Sequence, residues 1–179
     1  MEDVVNDSEV LYTSDEIKVG ISNIADTINE YFRDIKDNVT VLPVMKGAIP
    51  FAGYLIPQLS FNTNIEYIHV TRYHQNKGTK DCHWIYKPNK RAVKDKVILV
   101  MDDILDEGIT LLNIKDELKL MGARSIVTAV LFDKKINKKK SAHADFLGLE
   151  VPNKYVYGFG LDFKGSGRNL PNLYSFNEK

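Results

Sequence analysis

The spacing of apolar positions changes period several times along this chain. Residues 97–101 form an unbroken apolar run, Val-Ile-Leu-Val-Met, the pattern of a parallel strand buried on both faces. Residues 39–45 read the same way, and Lys46-Gly47 marks the turn after them. Between these strands and the N-terminus the period is helical: Ile17, Ile21, Ile24, Ile28 and Tyr31 recur at three- and four-residue steps. Thr13 and Glu16 have capping-box spacing at its start, and the helix is expected to end before Asp37-Asn38. A second helix is predicted over 48–59, with Pro50 tolerated in its first turn. Residues 65–71 read as a strand, 72–82 as a long polar loop, and 83–86 as a strand returning from it. The central run leads to a helix over 110–121, stopped by Gly122. Residues 125–132 and 154–158 supply two more strands. Strands alternating with helices predict an α/β fold, a mainly parallel twisted sheet flanked by helices on both faces.

Ligands in such sheets bind beyond the carboxyl ends of the strands. That rule collects Lys46-Gly47, residues 102–110, Lys134 and Asp162 at one edge. Directly after the central run come Asp102, Asp103 and Asp106, then Gly108 and Thr110 at the start of a helix. Backbone N–H groups at a helix N-terminus suit a phosphate. Carboxylates just before them suit sugar hydroxyls, a metal or a proton. One short segment thus offers groups for both the phosphate and the ribose of a sugar phosphate. An Asp-rich solvated turn with a helix cap is the ordinary alternative, and a strand-end phosphoacceptor Asp also stays open. A Walker loop is excluded because no Gly-Lys-Ser/Thr ending exists. Gly158, Gly160, Gly165 and Gly167 do not form GxGxxG, because Phe163 stands in the place of the last Gly.

Composition narrows the partners. Lys plus Arg and Asp plus Glu both number 24, so no strong field steers the chain to nucleic acid or to a membrane surface. Cys82 is the one cysteine, which rules out an internal disulfide and fits a reducing, cytoplasmic compartment. Neither a secretory signal nor a run of about 18 apolar residues is visible. The 179 residues are expected to fold as a single domain. His69, His74, Cys82 and His83 match no zinc spacing, so ordinary structural roles are expected of them.

Residues 97–110 resemble the phosphoribosyl pyrophosphate (PRPP) motif of type I phosphoribosyltransferases: apolar residues, two acidic, two apolar, then Asp-x-Gly-x-Thr. Glu107 stands where that motif has Thr or Ser, and its side chain is expected to point to solvent while its N–H contributes. A second stretch, residues 154–171, resembles the 6-oxopurine (hypoxanthine–guanine) branch of the family. The resemblance implies purine salvage: transfer of a phosphoribosyl group from PRPP to a 6-oxopurine, giving a nucleoside 5′-monophosphate and pyrophosphate. It assigns the PRPP site to Asp102, Asp103, Asp106, Glu107, Gly108, Ile109 and Thr110, with Asp106 as general base. Lys46, Gly47 and Arg168 correspond to the pyrophosphate site, with a cis peptide before Lys46. Lys134, 28 residues after Asp106, corresponds to the donor to purine O6. Tyr155 matches the stacking aromatic, and Val156 the residue whose main chain reads the base edge. Asp162 matches the ligand of Mg²⁺, the implied cofactor. The 72–82 loop, entered at Arg72-Tyr73, is implied to be a mobile hood, and a homodimer or homotetramer is the family habit.

Each residue has a plainer reading. Lys134 opens a basic run continued by Lys138, Lys139 and Lys140, which reads as solvated, or as a nucleic-acid patch with no interleaved aromatics. Tyr155 is flanked by Val156 and Tyr157 and could be core; Asp162 and Arg168 could form a surface ion pair. Two other function classes compete: a PRPP-sensing regulator without a purine pocket, and an Mg²⁺-dependent phosphatase or receiver-like domain that would use only the acidic cluster.

Overall fold

The computed structural model describes residues 8–72 and 82–176. A short strand, β1 (Ser8–Tyr12), precedes α1 (Ser14–Tyr31). The predicted capping box holds the first turn: the Thr13 N–H donates to Glu16 Oε2 at 2.8 Å, and the Glu16 N–H to Thr13 Oγ1 at 3.4 Å. Ile17, Ile21, Ile24 and Ile28 are buried as their spacing requires; Tyr31 is exposed, and Phe32 is buried instead.

Seven strands make the main sheet: β2 (Val39–Met45), β3 (Thr63–Ile65), β4 (Ile68–Arg72), β5 (Cys82–Tyr86), β6 (Val97–Leu105), β7 (Ser125–Lys134) and β8 (Phe146–Val151). Their order is β5-β4-β2-β6-β7-β8, with β3 beside the start of β2, and every pairing is parallel except β4 with β5. On one face α1 and α2 (Ile49–Leu55) pack over Val41, Leu99, Met101 and Leu131. On the other, Val93 of α3 (Lys90–Val93) and Leu111, Ile114 and Leu118 of α4 (Ile109–Leu120) cover Leu42, Ile98, Val100 and Val130. Successive residues of β6 thus serve opposite cores, which is why its sequence does not alternate. Each fully buried side chain of this kind contributes about 1.5–3 kcal/mol.

Several expected boundaries move, each for a local reason. The helix expected over 48–59 ends at Leu55 and tightens into a 3₁₀ turn, Ile56–Gln58. Pro57 has no N–H to continue the α-helical ladder and its ring crowds the preceding turn. The strand expected over 65–71 is two, β3 and β4, both along β2. They part near Pro43, which cannot donate to the ladder. The largest change is in β6, expected to stop at Met101. It runs on to Leu105, with Asp102 opposite Val130 and Leu105 opposite Asp133. Asp is a poor strand former, but the long β7 offers backbone partners that far, and pairing overrides propensity. Asp102 and Asp103 therefore stand on a strand, not in a loop.

Residues 154–158 do not join the main sheet. A separate antiparallel sheet combines β1, β9 (Tyr155–Tyr157) and β10 (Leu173–Phe176) in the order β1-β10-β9. The hood expected over 72–82, with Tyr73 and His74, lies outside the described residues except at its two edges.

Candidate active site

Beyond the carboxyl ends of β2, β4, β6 and β7 lies a cavity of about 680 Å³, within the usual range for small-molecule sites. Lys46, Gly47, Asp102, Asp103, Asp106, Gly108, Thr110, Lys134, Tyr155, Val156, Asp162 and Arg168 all line it. Of the residues singled out from sequence, Glu107 and Ile109 do not. The cavity also takes in Met45, Val70, Thr71 and Ile85, to which no site role was given, and His69, of which only a structural role was expected. The strand-end rule could have found His69 to Thr71, since β4 ends beside β2.

The sharp turn after β2 brings the main chain against β6. The Met45–Lys46 peptide is cis. A Cβ placed on Gly47 would lie 1.5 Å from Asp103 Oδ2, so only glycine permits this approach. Gly160 in turn lies against the carbonyl of Gly47, and its own carbonyl accepts from Arg168 Nη1 at 2.6 Å. Three segments distant in sequence are therefore in contact around Asp103. Burial pushes the Asp103 carboxyl above its ordinary value, against its side-chain hydrogen bonding with Asp102, the hydrogen bond from the Ile104 N–H and the charge of Arg168. The same N–H holds Asp103 Oδ1 at 2.7 Å, which fixes the carboxylate direction.

Past the end of β6 the chain turns through Gly108, in the left-handed region at φ 77°, into α4. Gly108 has no side chain to cap the helix, and the positive end of the α4 dipole is at the cavity edge lined by Gly108 and Thr110. Glu107 is outside the cavity lining, and its part-exposed carboxylate pairs with the exposed Lys138. That pairing neutralises a carboxylate that would otherwise repel an anion at this turn. The basic run is also not simply solvated, because Lys140 is buried against Asp133 and the Leu105 carbonyl.

At the end of β7, Lys134 Nζ lies 3.3 Å from Asp106 Oδ2. Both side chains line the cavity, with Lys134 the more buried. Tyr155 is not core: 44 % of it is exposed, whereas Val156 and Tyr157 beside it are buried. Its ring rests edge-on against Phe163 at 5.5 Å, and its hydroxyl donates to the Asp162 carbonyl at 3.0 Å. Asp162 and Arg168 do form an ion pair, Oδ1 to Nη2 at 2.5 Å, but at the cavity wall. The N–H of Gly165 donates to the other Asp162 oxygen at 2.8 Å. Among the described residues no cluster of three His, Cys, Asp or Glu side chains forms a ready metal cage.

The site thus joins cationic side chains, a helix N-terminus, carboxylates and an exposed aromatic face. Comparison with known proteins agrees with that chemistry. A hypoxanthine-guanine phosphoribosyltransferase of Aquifex aeolicus is 31% identical over 93% of this chain and 93% of its own length. A hypoxanthine-guanine-xanthine phosphoribosyltransferase of Tritrichomonas foetus is 32% identical over 90% of this chain and 87% of its own. The crystal structure of a hypoxanthine phosphoribosyltransferase from Staphylococcus aureus superposes with a TM-score of 0.86 at 26% identity, covering 96% of this chain and 93% of that one. The family defined by the phosphoribosyl transferase domain matches residues 9–164, and the chain belongs to it.

Proposed function

We propose that this phosphoribosyltransferase serves purine salvage, moving the 5-phosphoribosyl group of PRPP onto N9 of hypoxanthine or guanine. Its relatives from Aquifex aeolicus and Tritrichomonas foetus are named for that activity. The observation that carries the base assignment is the 3.3 Å pair of Lys134 Nζ and Asp106 Oδ2. In a 6-oxopurine, O6 and N7 are neighbours on one edge. An ammonium has donors only and reads O6; the carboxylate beside it takes the N7 proton as N9 attacks C1 of the ribose. Tyr155 offers its exposed ring for stacking, and the Val156 main chain faces the remaining base edge. A phosphatase or receiver-like use of the acidic cluster would leave Lys134, Tyr155 and Arg168 without a task.

Asp102 and Asp103 accept hydrogen bonds from the ribose 2′- and 3′-hydroxyls. The N–H groups of Asp106, Glu107, Gly108, Ile109 and Thr110, with the Thr110 hydroxyl, hold the 5′-phosphate at the start of α4. Glu107 and Ile109 act through their backbone alone. Breaking the bond from C1 to pyrophosphate builds positive charge on the sugar and negative charge on the leaving group. Lys46 and Arg168, beside Gly47, stabilise the latter.

The donor set fits Mg²⁺. Asp102, Asp103 and Asp162 are hard oxygen donors on one cavity. Mg²⁺ is typically held by one or two carboxylates together with water and substrate phosphates, and needs no protein cage. Asp162 would hold it, since its oxygens keep lone pairs beyond those used by Arg168 and Gly165. When bound, the ion supplies positive charge to the pyrophosphate as it leaves.

Incubation with PRPP, Mg²⁺ and each of hypoxanthine, guanine, xanthine and adenine tests the reading. Pyrophosphate release with hypoxanthine or guanine is expected, and none with any 6-oxopurine overturns it. Asp103 supplies a second expectation. Its raised folded pKa means that its contribution to stability is full below the ordinary carboxylate value and is lost as the pH rises through the folded value. Above the ordinary carboxylate value the buried carboxyl is therefore a cost to the fold, and PRPP binding is its use. Asp103→Asn is therefore expected to raise Tm at pH 7 by a few degrees while weakening PRPP binding. Calorimetry measures both, and undiminished PRPP affinity would remove Asp103 from the ribose site.

We further propose that the chain works in the cytoplasm as a homodimer or homotetramer. Exposed Ile49 and Tyr54, on α2 directly after the Lys46-Gly47 turn, support a subunit contact there. A single cysteine fits a reducing compartment, and no described helix is long and apolar enough to cross a membrane. Light scattering of the eluted protein checks the assembly.

A further inference from the structure

Within the basic run, Lys134 lines the cavity and Lys140 does not, yet only 11 % of the Lys140 side chain is exposed. Its ammonium donates to Asp133 Oδ1 at 2.5 Å and to the carbonyl of Leu105 at 2.6 Å. Leu105 and Asp133 are register partners at the last rung of β6 with β7. Asp106 directly follows the end of β6, and Lys134 is the last residue of β7. One buried cation thus spans the rung that presents both base-facing groups.

The segment around Lys140 also backs the phosphate turn. Lys138 pairs with the Glu107 carboxylate, and the Ser141 N–H donates to the Glu107 carbonyl at 2.8 Å. A Cβ added to Gly108 would lie 2.7 Å from the Ala142 nitrogen, so this segment sits directly behind the turn. Burial pushes the Asp133 carboxyl up, but hydrogen bonds from Lys140 and Lys135 outweigh it and hold the group below its ordinary value. Asp133 is therefore charged at neutral pH. A buried ion pair adds little net stability over an apolar pair of the same size, because both charges lose their water. What this one adds is direction: the ammonium must meet a carbonyl on one strand and a carboxylate on the next.

Resting on the phosphoribosyl-transfer reading above, we propose that Lys140 is a positioning residue. It ties the Leu105 carbonyl to the Asp133 carboxylate and so sets Asp106 and the phosphate turn in register with Lys134. Substrate never touches it.

The test uses the full chain, PRPP with Mg²⁺, and hypoxanthine, with two variants, Lys140→Met and the double variant D133N/K140M. In Lys140→Met the KM for PRPP is expected to rise about ten-fold or more, since small displacements of binding groups are costly. Its Tm is expected to fall as well, because Asp133 keeps Lys135 as its one remaining cation among those that hydrogen-bond it. The double variant removes the charge that has lost its buried partner, so Tm recovers towards wild type. The KM for PRPP stays high, because the Leu105 carbonyl still lacks its donor. A wild-type KM in Lys140→Met, or recovery of KM together with Tm in the double variant, overturns the proposal. If Lys140→Met fails to fold, the double variant decides by its KM alone. Failure of the underlying reading is separate, because then the wild-type chain itself yields no pyrophosphate with any 6-oxopurine.

Discussion

Asp106→Asn is expected to lower kcat for hypoxanthine by about 100-fold or more while leaving PRPP binding nearly intact. Asn keeps the size of the side chain and the backbone N–H groups of the phosphate turn. It also keeps an oxygen that can accept from Lys134, whose Nζ lies 3.3 Å from Asp106 Oδ2. The lost property is basicity: an amide oxygen cannot take the N7 proton at neutral pH. The penalty therefore falls on the chemical step, not on assembly of the substrates. Steady-state kinetics with PRPP affinity measured in parallel separates the two. An unchanged kcat would remove Asp106 from the proton transfer, and a large loss of PRPP affinity would make it chiefly a binding group.

Lys134→Met should reduce kcat/KM for hypoxanthine by about 10- to 100-fold, the size of a lost hydrogen bond to a charged donor. The Lys134 side chain is well buried beside the cavity, so its hydrogen bond to O6 is not diluted by water. Adenine presents an amino donor at the same place. A donor meeting an ammonium leaves both unsatisfied, so the wild type should discriminate strongly against adenine. Methionine removes that conflict and offers a flexible apolar surface of similar length. Adenine, already poor, should therefore lose much less than hypoxanthine. Measuring both bases with both proteins gives the ratio directly. An equal loss for the two bases, or a wild type that prefers adenine, would take base reading away from Lys134.

These expectations rest on residues that were legible in the sequence for different reasons. The capping box at Thr13 and Glu16 and the stripe from Ile17 to Ile28 are local patterns, and the structure reproduces them. The apolar runs at 39–45 and 97–101 read as strands buried on both faces, and the ligand edge followed from the α/β topology they imply. Twelve of the fourteen site residues named from sequence line one cavity, although they are spread from Lys46 to Arg168. For Tyr155, the sequence offered core packing beside a site role, and its exposure rules out the core.

By itself, then, the sequence determined the alternation of strands and helices, the α/β class and the chemistry gathered at one sheet edge. The first two depend on side chains within a few turns or strand lengths of one another, and the third follows from them through the strand-end rule. Tertiary structure alone decided how far β6 runs, because its acidic residues join the ladder only where β7 offers backbone partners. It alone placed β9 in a small sheet with β10 and β1, of which β1 and β10 pair across most of the chain. Backbone hydrogen bonds are the same for every residue type except proline, so such a choice leaves no mark in local composition. The lysine run shows the same limit from the side of charge. Lys138, Lys139 and Lys140 are identical letters, and only the fold brings Glu107 to the first and Asp133 with the Leu105 carbonyl to the last.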